Sequence, residues 1–326
     1  MNSLFETLIE TAVQLNENSA DLAGVMVGDA ALLRISIDRC PSGVRRIDCG
    51  IDSPGGLEAG RRMAEICLAG LATVEFEPGN PDIWPGPAVV VRTDHPVSAC
   101  MASQYAGWQI ASDDFFAIGS GPMRAAAGQE KLFETIGCRE SPEVAVGVLE
   151  TRKLPSETIC RNLAEQCGVV PGGLTLLLAP TASQAGGVQV VARSVETSLH
   201  KLHELGFDLS RIESGWGTAP LPPVAKDDMS AIGRTNDAVL YGAEVTLWVR
   251  GDDASIESIG PKVPSSASPD HGRPFIEIFQ QYDRDFYKID PHLFSPAVVT
   301  LVNLDTGETH RFGHTAPRVI HESFGR

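Results

Sequence analysis

Two rhythms of apolar residues alternate along this chain. Short, nearly continuous apolar runs occur at Ala88–Arg92, Val144–Leu149 and Leu174–Leu178. Runs of this length and composition predict strands buried on both faces. Leu32–Ile37, Arg46–Ile51, Phe115–Ile118 and Tyr241–Val249 read as further strands. Between them the spacing lengthens to the helical period. Leu4, Leu8, Ala12 and Leu15 mark a helix over residues 3–18, with Ser3 as its cap. Leu57–Ala69, stopped by Gly70, Met123–Gln129 and Pro155–Gly168 read as helices, and Ser183–Leu205, closed by Gly206, as the longest one. Residues 215–235 hold glycines, prolines and polar groups and predict a long functional loop; 252–273 predicts an exposed, turn-rich stretch. Phe275–Phe279 and Ala297–Val302 are apolar, and Val302–His310 predicts a hairpin through Asp305-Thr306-Gly307.

Strands alternating with helices predict an α/β fold. With 326 residues the chain is long for one core. The expected architecture is two α/β domains with mixed sheets and a ligand pocket between them. The expected segments are 1–140 and 141–326, the second carrying the helix 183–205, with a border the pattern leaves loose. A short self-similarity supports two related halves. Ala102-Ser103-Gln104-Tyr105-Ala106-Gly107-Trp108-Gln109 returns as Ala182-Ser183-Gln184-Ala185-Gly186-Gly187-Val188-Gln189. Each copy follows a strand-like run and is expected to open a helix.

Composition narrows the function. A net charge of −16 argues against nucleic-acid binding, which needs a basic stripe. No segment is long and apolar enough to span a bilayer, and the first residues lack the basic stretch of a signal peptide. The expected location is the cytoplasm. Seven cysteines without a CxxC pair are expected to be reduced and buried. Eight histidines include no familiar metal spacing, and no metal is expected.

The helix 183–205 carries the most informative constellation. Val188, Val191, Ala192, Val195, Leu199 and Leu202 form its core stripe. A second stripe, Gln189, Arg193, Glu196, His200 and His203, runs along the flank of that face, where clefts open. Arg193 and Glu196 are one turn apart, so the guanidinium can meet the carboxylate and favour its charged form, as suits a base for water. A surface ion pair is the competing reading. Gly119-Ser120-Gly121-Pro122 reads as a turn that presents N–H groups to a ligand, or as a plain tight turn. Thr181 to Gln184 fits a capping box, with Thr181 as cap, or offers donors to a ligand. Asp94-His95, at the C-terminal edge of a strand, is well placed for an α/β site.

Several of these segments together resemble methenyltetrahydromethanopterin cyclohydrolases. They are Arg92-Thr93-Asp94-His95-Pro96, Met101 to Trp108, Gly119-Ser120-Gly121-Pro122-Met123-Arg124-Ala125, Ala179-Pro180-Thr181-Ala182-Ser183 and Ala231 to Asp237. Ile47-Asp48-Cys49-Gly50 and Lys201 to Phe207 extend the match in collinear order over roughly residues 45–250. The resemblance implies two α/β domains, a pterin pocket between them, a homotrimer and a cofactor-free, reversible opening of the 5,10-methenyl cation to the N5-formyl product. It places this chemistry in one-carbon metabolism, methanogenesis or formaldehyde oxidation. It implies a catalytic Glu and Arg on a helix, which fall on Glu196 and Arg193. Asp94, His95, Ser103, Gln104, Gly119, Ser120, Gly121, Thr181, Ser183 and Gln184 are the expected substrate contacts. The alternatives are a cyclohydrolase for methenyltetrahydrofolate, although no GxGxxG is present, and a pterin carrier without activity.

Overall fold

The computed structural model describes residues 13–112, 114–285 and 288–325. The expected helix over 3–18 lies mostly outside these residues; the first described helix begins at Leu15. Among the described residues twelve strands form two six-stranded sheets. The first takes β1 (Ser36–Arg39), β2 (Arg45–Asp48), β5 (Trp108–Ser112), β6 (Phe115–Ser120), β7 (Ala145–Glu150) and β8 (Leu174–Ala179), in the order β1-β2-β8-β7-β6-β5. The second takes β3 (Ala72–Pro78), β4 (Pro87–Thr93), β9 (Ile212–Pro220), β10 (Glu244–Val249), β11 (Val298–Asn303) and β12 (Thr309–Gly313), in the order β12-β11-β10-β9-β4-β3. Both are mixed: β2, β8 and β7 run parallel in the first, β10 and β11 in the second, and the other pairs are antiparallel.

The chain visits the sheets in turn. It lays β1 and β2 in the first sheet, crosses for β3 and β4, returns for β5 to β8, and ends in the second with β9 to β12. Segments 1–140 and 141–326 therefore each supply strands to both sheets, and residue 140 falls between β6 and β7 of one sheet.

The helices are α1 (Leu15–Gly28), α2 (Ala30–Leu33), α3 (Leu57–Cys67), α4 (Met123–Ala127), α5 (Leu132–Ile136), α6 (Glu157–Gln166), α7 (Gln184–Val191), α8 (Ser194–Glu204), α9 (Asp228–Gly242), α10 (Asp253–Ile259), α11 (Phe275–Gln281) and α12 (Pro317–Phe324). The first sheet is covered on both faces. Ala145 and Leu149 of β7 pack with Ile159 and Leu163 of α6, while Val146 and Val148 pack with Met63 and Ile66 of α3. This is why β7 and β8 read as unbroken apolar runs. Along β10 of the second sheet Val245, Leu247 and Val249 are buried and their neighbours half-buried, so only one face meets the helical core.

Several expectations are corrected here. The helix 183–205 is two helices: Ala192 and Arg193 leave helical geometry, with ψ of 7° and 10°, and α8 starts afresh at Ser194. The apolar stripe runs across the break without a change of phase, so periodicity alone hides it. The expected loop 215–235 is instead most of β9 and the first half of α9. Glycines in β9 mimic a loop, but they exist because α8 lies close above them. A Cβ on Gly215 would stand 2.7 Å from Val195 Cγ1, and one on Gly217 2.6 Å from Ser194 Oγ. The expected strand at Leu32 starts four residues later, because Ala30–Leu33 closes a helical turn first. Within 252–273, Val263, Ser265 and Ser268 are buried rather than exposed. The first copy of the repeated octapeptide opens no helix: it ends a π-helical segment, Val97–Gln104, and runs into β5, whereas the second opens α7. All seven cysteines are free thiols, and all but Cys138 are buried. Among the described residues no helix is long and apolar enough to cross a membrane.

Candidate active site

The break between α7 and α8 sets Arg193 between the two sheets. Helix α8 rests on the second sheet through Val195, which packs over β9. From the head of α8 the Arg193 side chain crosses to the first sheet. Its Nη2 donates to Ser120 Oγ at the end of β6 (3.0 Å), and its Nη1 donates to the Gln104 carbonyl. Cys67 Sγ of α3 lies beneath, 3.4 Å from Ser120 Oγ and 3.6 Å from Gln189 Nε2. The guanidinium is thus fixed by contacts on three separate parts of the chain.

Glu196 lies one turn on, with Oε2 4.0 Å from Arg193 Nη1. That is close enough for attraction and too long for a hydrogen bond. The side chain is 8% exposed. Burial penalises its charged form, while Arg193 and then Arg124 favour it; burial wins, and the carboxyl is pushed up to about 7. The sequence reading had Arg193 keep Glu196 ionised. The cation does pull in that direction, and desolvation outweighs it. A carboxyl poised near neutrality exchanges a proton in either direction, which general acid–base chemistry requires.

The expected contacts divide into groups. Ser103 and Gln104 are fully buried at the end of the π-helical segment. Ser103 Oγ donates to the Cys67 carbonyl (2.7 Å) and Gln104 Nε2 to the Ala192 carbonyl (3.1 Å), so both brace the site. Gln104 Oε1 is a buried acceptor without a donor. Ser120 holds Arg193. Gly119 pairs with Trp108 of β5, and Gly121, at φ +88°, donates its N–H to the Ser103 carbonyl (2.9 Å). This turn ties β6 to the π-helical segment. Thr181 is not the helix cap; its hydroxyl donates to Glu150 Oε1. The cap of α7 is Ser183, whose Oγ accepts from Gly186 N (3.0 Å). Ser183 and Gln184 also line a cavity of about 210 Å³ with Leu57, Leu221, Arg234 and Thr235. Asp94 and His95 are exposed and turn elsewhere: Asp94 accepts from Ser214 Oγ (2.7 Å), and His95 N donates to Thr93 Oγ1 (2.9 Å).

Three residues went unflagged. Glu150 ends β7 beside Thr181; burial and Asp228 push its carboxyl up, while Thr181 and Arg193 pull it down. Its signal was a carboxylate just past an apolar run, at the strand end where α/β sites form. The Tyr105 ring lies 5.1 Å from the His200 ring, tilted by 34°, and burial followed by Glu196 pushes its phenol up to about 12. Arg124 sits fully buried behind Tyr105; a lone arginine among small residues was its signal. The segment Ile47-Asp48-Cys49-Gly50 is architectural: Asp48 accepts from the N–H groups of Gly50, Ile51, Asp52 and Ser53, which outweigh its burial and hold it below the usual carboxylate range. Among the described residues no cluster of His, Cys, Asp and Glu has the arrangement of a metal site.

Comparison with known proteins places the chain in a family. The family model described as Cyclohydrolase (MCH) matches residues 14–324. A methenyltetrahydromethanopterin cyclohydrolase of Rhodopirellula baltica is 50% identical over 289 residues, 87% of each chain. One of Xanthobacter autotrophicus is 48% identical, covering 94% of this chain and 91% of its own. One of Methanosarcina barkeri is 40% identical, covering 96% and 98%. A match over nearly the whole chain, with these relatives, shows that the protein belongs to the methenyltetrahydromethanopterin cyclohydrolase family.

Proposed function

We propose that the protein opens 5,10-methenyltetrahydromethanopterin to the 5-formyl compound, reversibly, with Glu196 as acid–base group and Arg193 as the cation that orients it. The observation that carries this reading is the Glu196 carboxyl poised at about 7 beside an Arg193 held by other partners. The methenyl carbon lies between two nitrogens and carries a delocalised positive charge, so it accepts water without further activation. Glu196 takes a proton from the attacking water as the C–O bond forms. It then delivers that proton to N10 as the C–N10 bond breaks. The adduct's hydroxyl proton leaves to solvent as the formyl C=O forms. Charge balances: cation plus water gives a neutral formyl product and one proton.

A negative Glu196 also attracts the cationic reactant more than the neutral product. The chemistry draws on no bound cofactor. Membership of the family supports the same substrate; a homotrimeric assembly is part of the proposal. The test is stopped-flow loss of the amidinium absorption with methenyltetrahydromethanopterin and, in parallel, methenyltetrahydrofolate. Acceleration confined to the first supports the reading. Preference for the second reassigns the substrate, and binding of the first without turnover makes the protein a carrier.

A further inference from the structure

Arg124 is buried more deeply than either proposed catalytic side chain, and no step of the chemistry uses it. Its side chain is 0% exposed. Nε and Nη2 fork onto the two oxygens of Glu130, at 2.8 and 2.5 Å. Nη1 faces three successive carbonyls at the end of the π-helical segment: Met101 (2.9 Å), Ser103 (3.3 Å) and Ala102 (3.4 Å). The guanidinium also lies over the Tyr105 ring at 4.9 Å and the Phe133 ring at 5.5 Å. The next carbonyl along is that of Gln104, which receives Arg193 Nη1. The Gln104 amide in turn ties back to Ala192, at the break before α8.

An isolated buried cation is costly, and one that is forked and fully bonded fixes whatever it touches. An eight-residue π-helical segment has backbone carbonyls at its end that need donors, and such segments gather at functional sites. Arg124 supplies those donors. We propose that Arg124, clamped by Glu130, is a positioning residue: it fastens the end of the π-helical segment and so sets where Gln104 holds Arg193 against Glu196.

The charge acts along the same line as the geometry. Arg193 and Arg124 are the two cations that favour ionised Glu196, while Cys100 faces it from the π-helical segment, Tyr105 from the residue just after that segment, and His200 stands one turn further along α8. Opposite changes at the clamp should then move Glu196 in opposite directions. Removing Arg124 takes away a cation; removing the Glu130 charge leaves Arg124 less neutralised.

This inference rests on the proposed function, and the test separates the two. In the full-length protein, Arg124→Met, Arg124→Lys and Glu130→Gln are compared with wild type for kcat, KM and the acidic limb of kcat/KM on methenyltetrahydromethanopterin. Arg124→Met should lower kcat at least about tenfold, leave KM within about threefold, and move the limb to higher pH. Arg124→Lys should keep the limb and still lower kcat, because an ammonium cannot reproduce the fork. Glu130→Gln should lower kcat and move the limb to lower pH. Titration of the Glu196 carboxyl by carbon-13 NMR should show the same signs without turnover.

A folded Arg124→Met variant with wild-type kcat and limb overturns the proposal. So does a shift of the limb in the same direction for Arg124→Met and Glu130→Gln. Should Arg124→Met not fold, wild-type kcat and limb in both Arg124→Lys and Glu130→Gln overturn it. A wild-type protein that does not consume the substrate overturns the functional reading instead, and the NMR titration then decides the positioning role alone.

Discussion

Arg193 Nη1 and Glu196 Oε2 stand 4.0 Å apart, while the hydrogen bonds of the guanidinium go to the Gln104 carbonyl and the Ser120 hydroxyl. The pair is therefore not a closed salt bridge. Arg193 presents fixed positive charge, and the carboxylate keeps its lone pairs for water. Replacing Glu196 by Gln keeps the shape and removes the base. We expect Glu196→Gln to lower kcat by about 10²–10⁴-fold, the usual worth of general acid–base catalysis. Pterin binding, followed by fluorescence titration, should weaken by no more than about tenfold. Turnover within threefold of wild type would remove Glu196 from the chemistry.

If Glu196 is the base, its carboxyl at about 7 should set the pH dependence of the hydrolytic direction. Only the ionised form takes a proton from water, so kcat/KM should rise with pH through about 7 and level off above it. On the proposed mechanism, a methenyl cation bound beside the carboxylate would favour its charged form. The limb of kcat should therefore lie at lower pH than the limb of kcat/KM, which reports the free enzyme. Profiles measured under saturating and under limiting substrate check this. A kcat limb above the kcat/KM limb would mean that substrate binding desolvates Glu196 more than its charge stabilises it.

Asp237 supplies a pH effect on stability away from the chemistry. Its Oδ1 accepts from Phe275 N at 2.7 Å, and burial pushes the carboxyl up to about 7 against the pull of Ser323 and of that N–H group. Glu277 and Glu322 nearby push the same way as burial. Between the ordinary Asp value near 4 and about 7 the folded chain holds a proton that the unfolded chain has lost. Stability must then fall as pH rises through that window and stay low above it. Asp237→Asn retains the acceptor for Phe275 N and carries no charge. Its melting temperature relative to wild type should rise by a few degrees at pH 8 and by less at pH 5.5, with kcat unchanged. An equal gain at both pH values would show that the folded carboxyl is already ionised throughout that range.

How much of this was legible depended on whether local pattern and tertiary contact agreed. The buried strands β7 and β8 announce themselves because both faces of each are covered, and they, like β4, appear within a residue or two of their expected limits. The Arg193–Glu196 spacing is readable because both lie on the polar stripe that flanks the core face. The break between them is not, since Ala192 fits an apolar position whether the helix continues or not. Strand β9 reads as a loop in the sequence because Gly215 and Gly217 answer to a helix packed from above, which no local window contains. Thr181 matched a capping pattern, yet its hydroxyl faces Glu150, thirty-one residues earlier in the chain, and Ser183 caps instead. Short polar side chains fit several roles locally, and their partners across the fold choose among them.

The contact of β9 with α8 gives a prediction that joins fold to chemistry. A Cβ placed on Gly215 would lie 2.7 Å from Val195 Cγ1 and 3.3 Å from Leu247 Cδ2, both fully buried. Val195 is β-branched and held at χ1 in a helix, so it cannot swing aside. The helix must lift instead, and the next residue is Glu196. Overpacking of this kind costs about 1–3 kcal/mol. We expect Gly215→Ala to lower the melting temperature and to reduce kcat at least about tenfold, because Glu196 and Arg193 move against partners anchored on the other sheet. Adding Val195→Ala removes the opposing methyl and should restore much of both losses, a coupling that independent sites would not show. Wild-type kcat in the single variant would mean that the height of α8 above β9 does not set the catalytic geometry. A stability loss that Val195→Ala fails to relieve would place the strain elsewhere in the sheet.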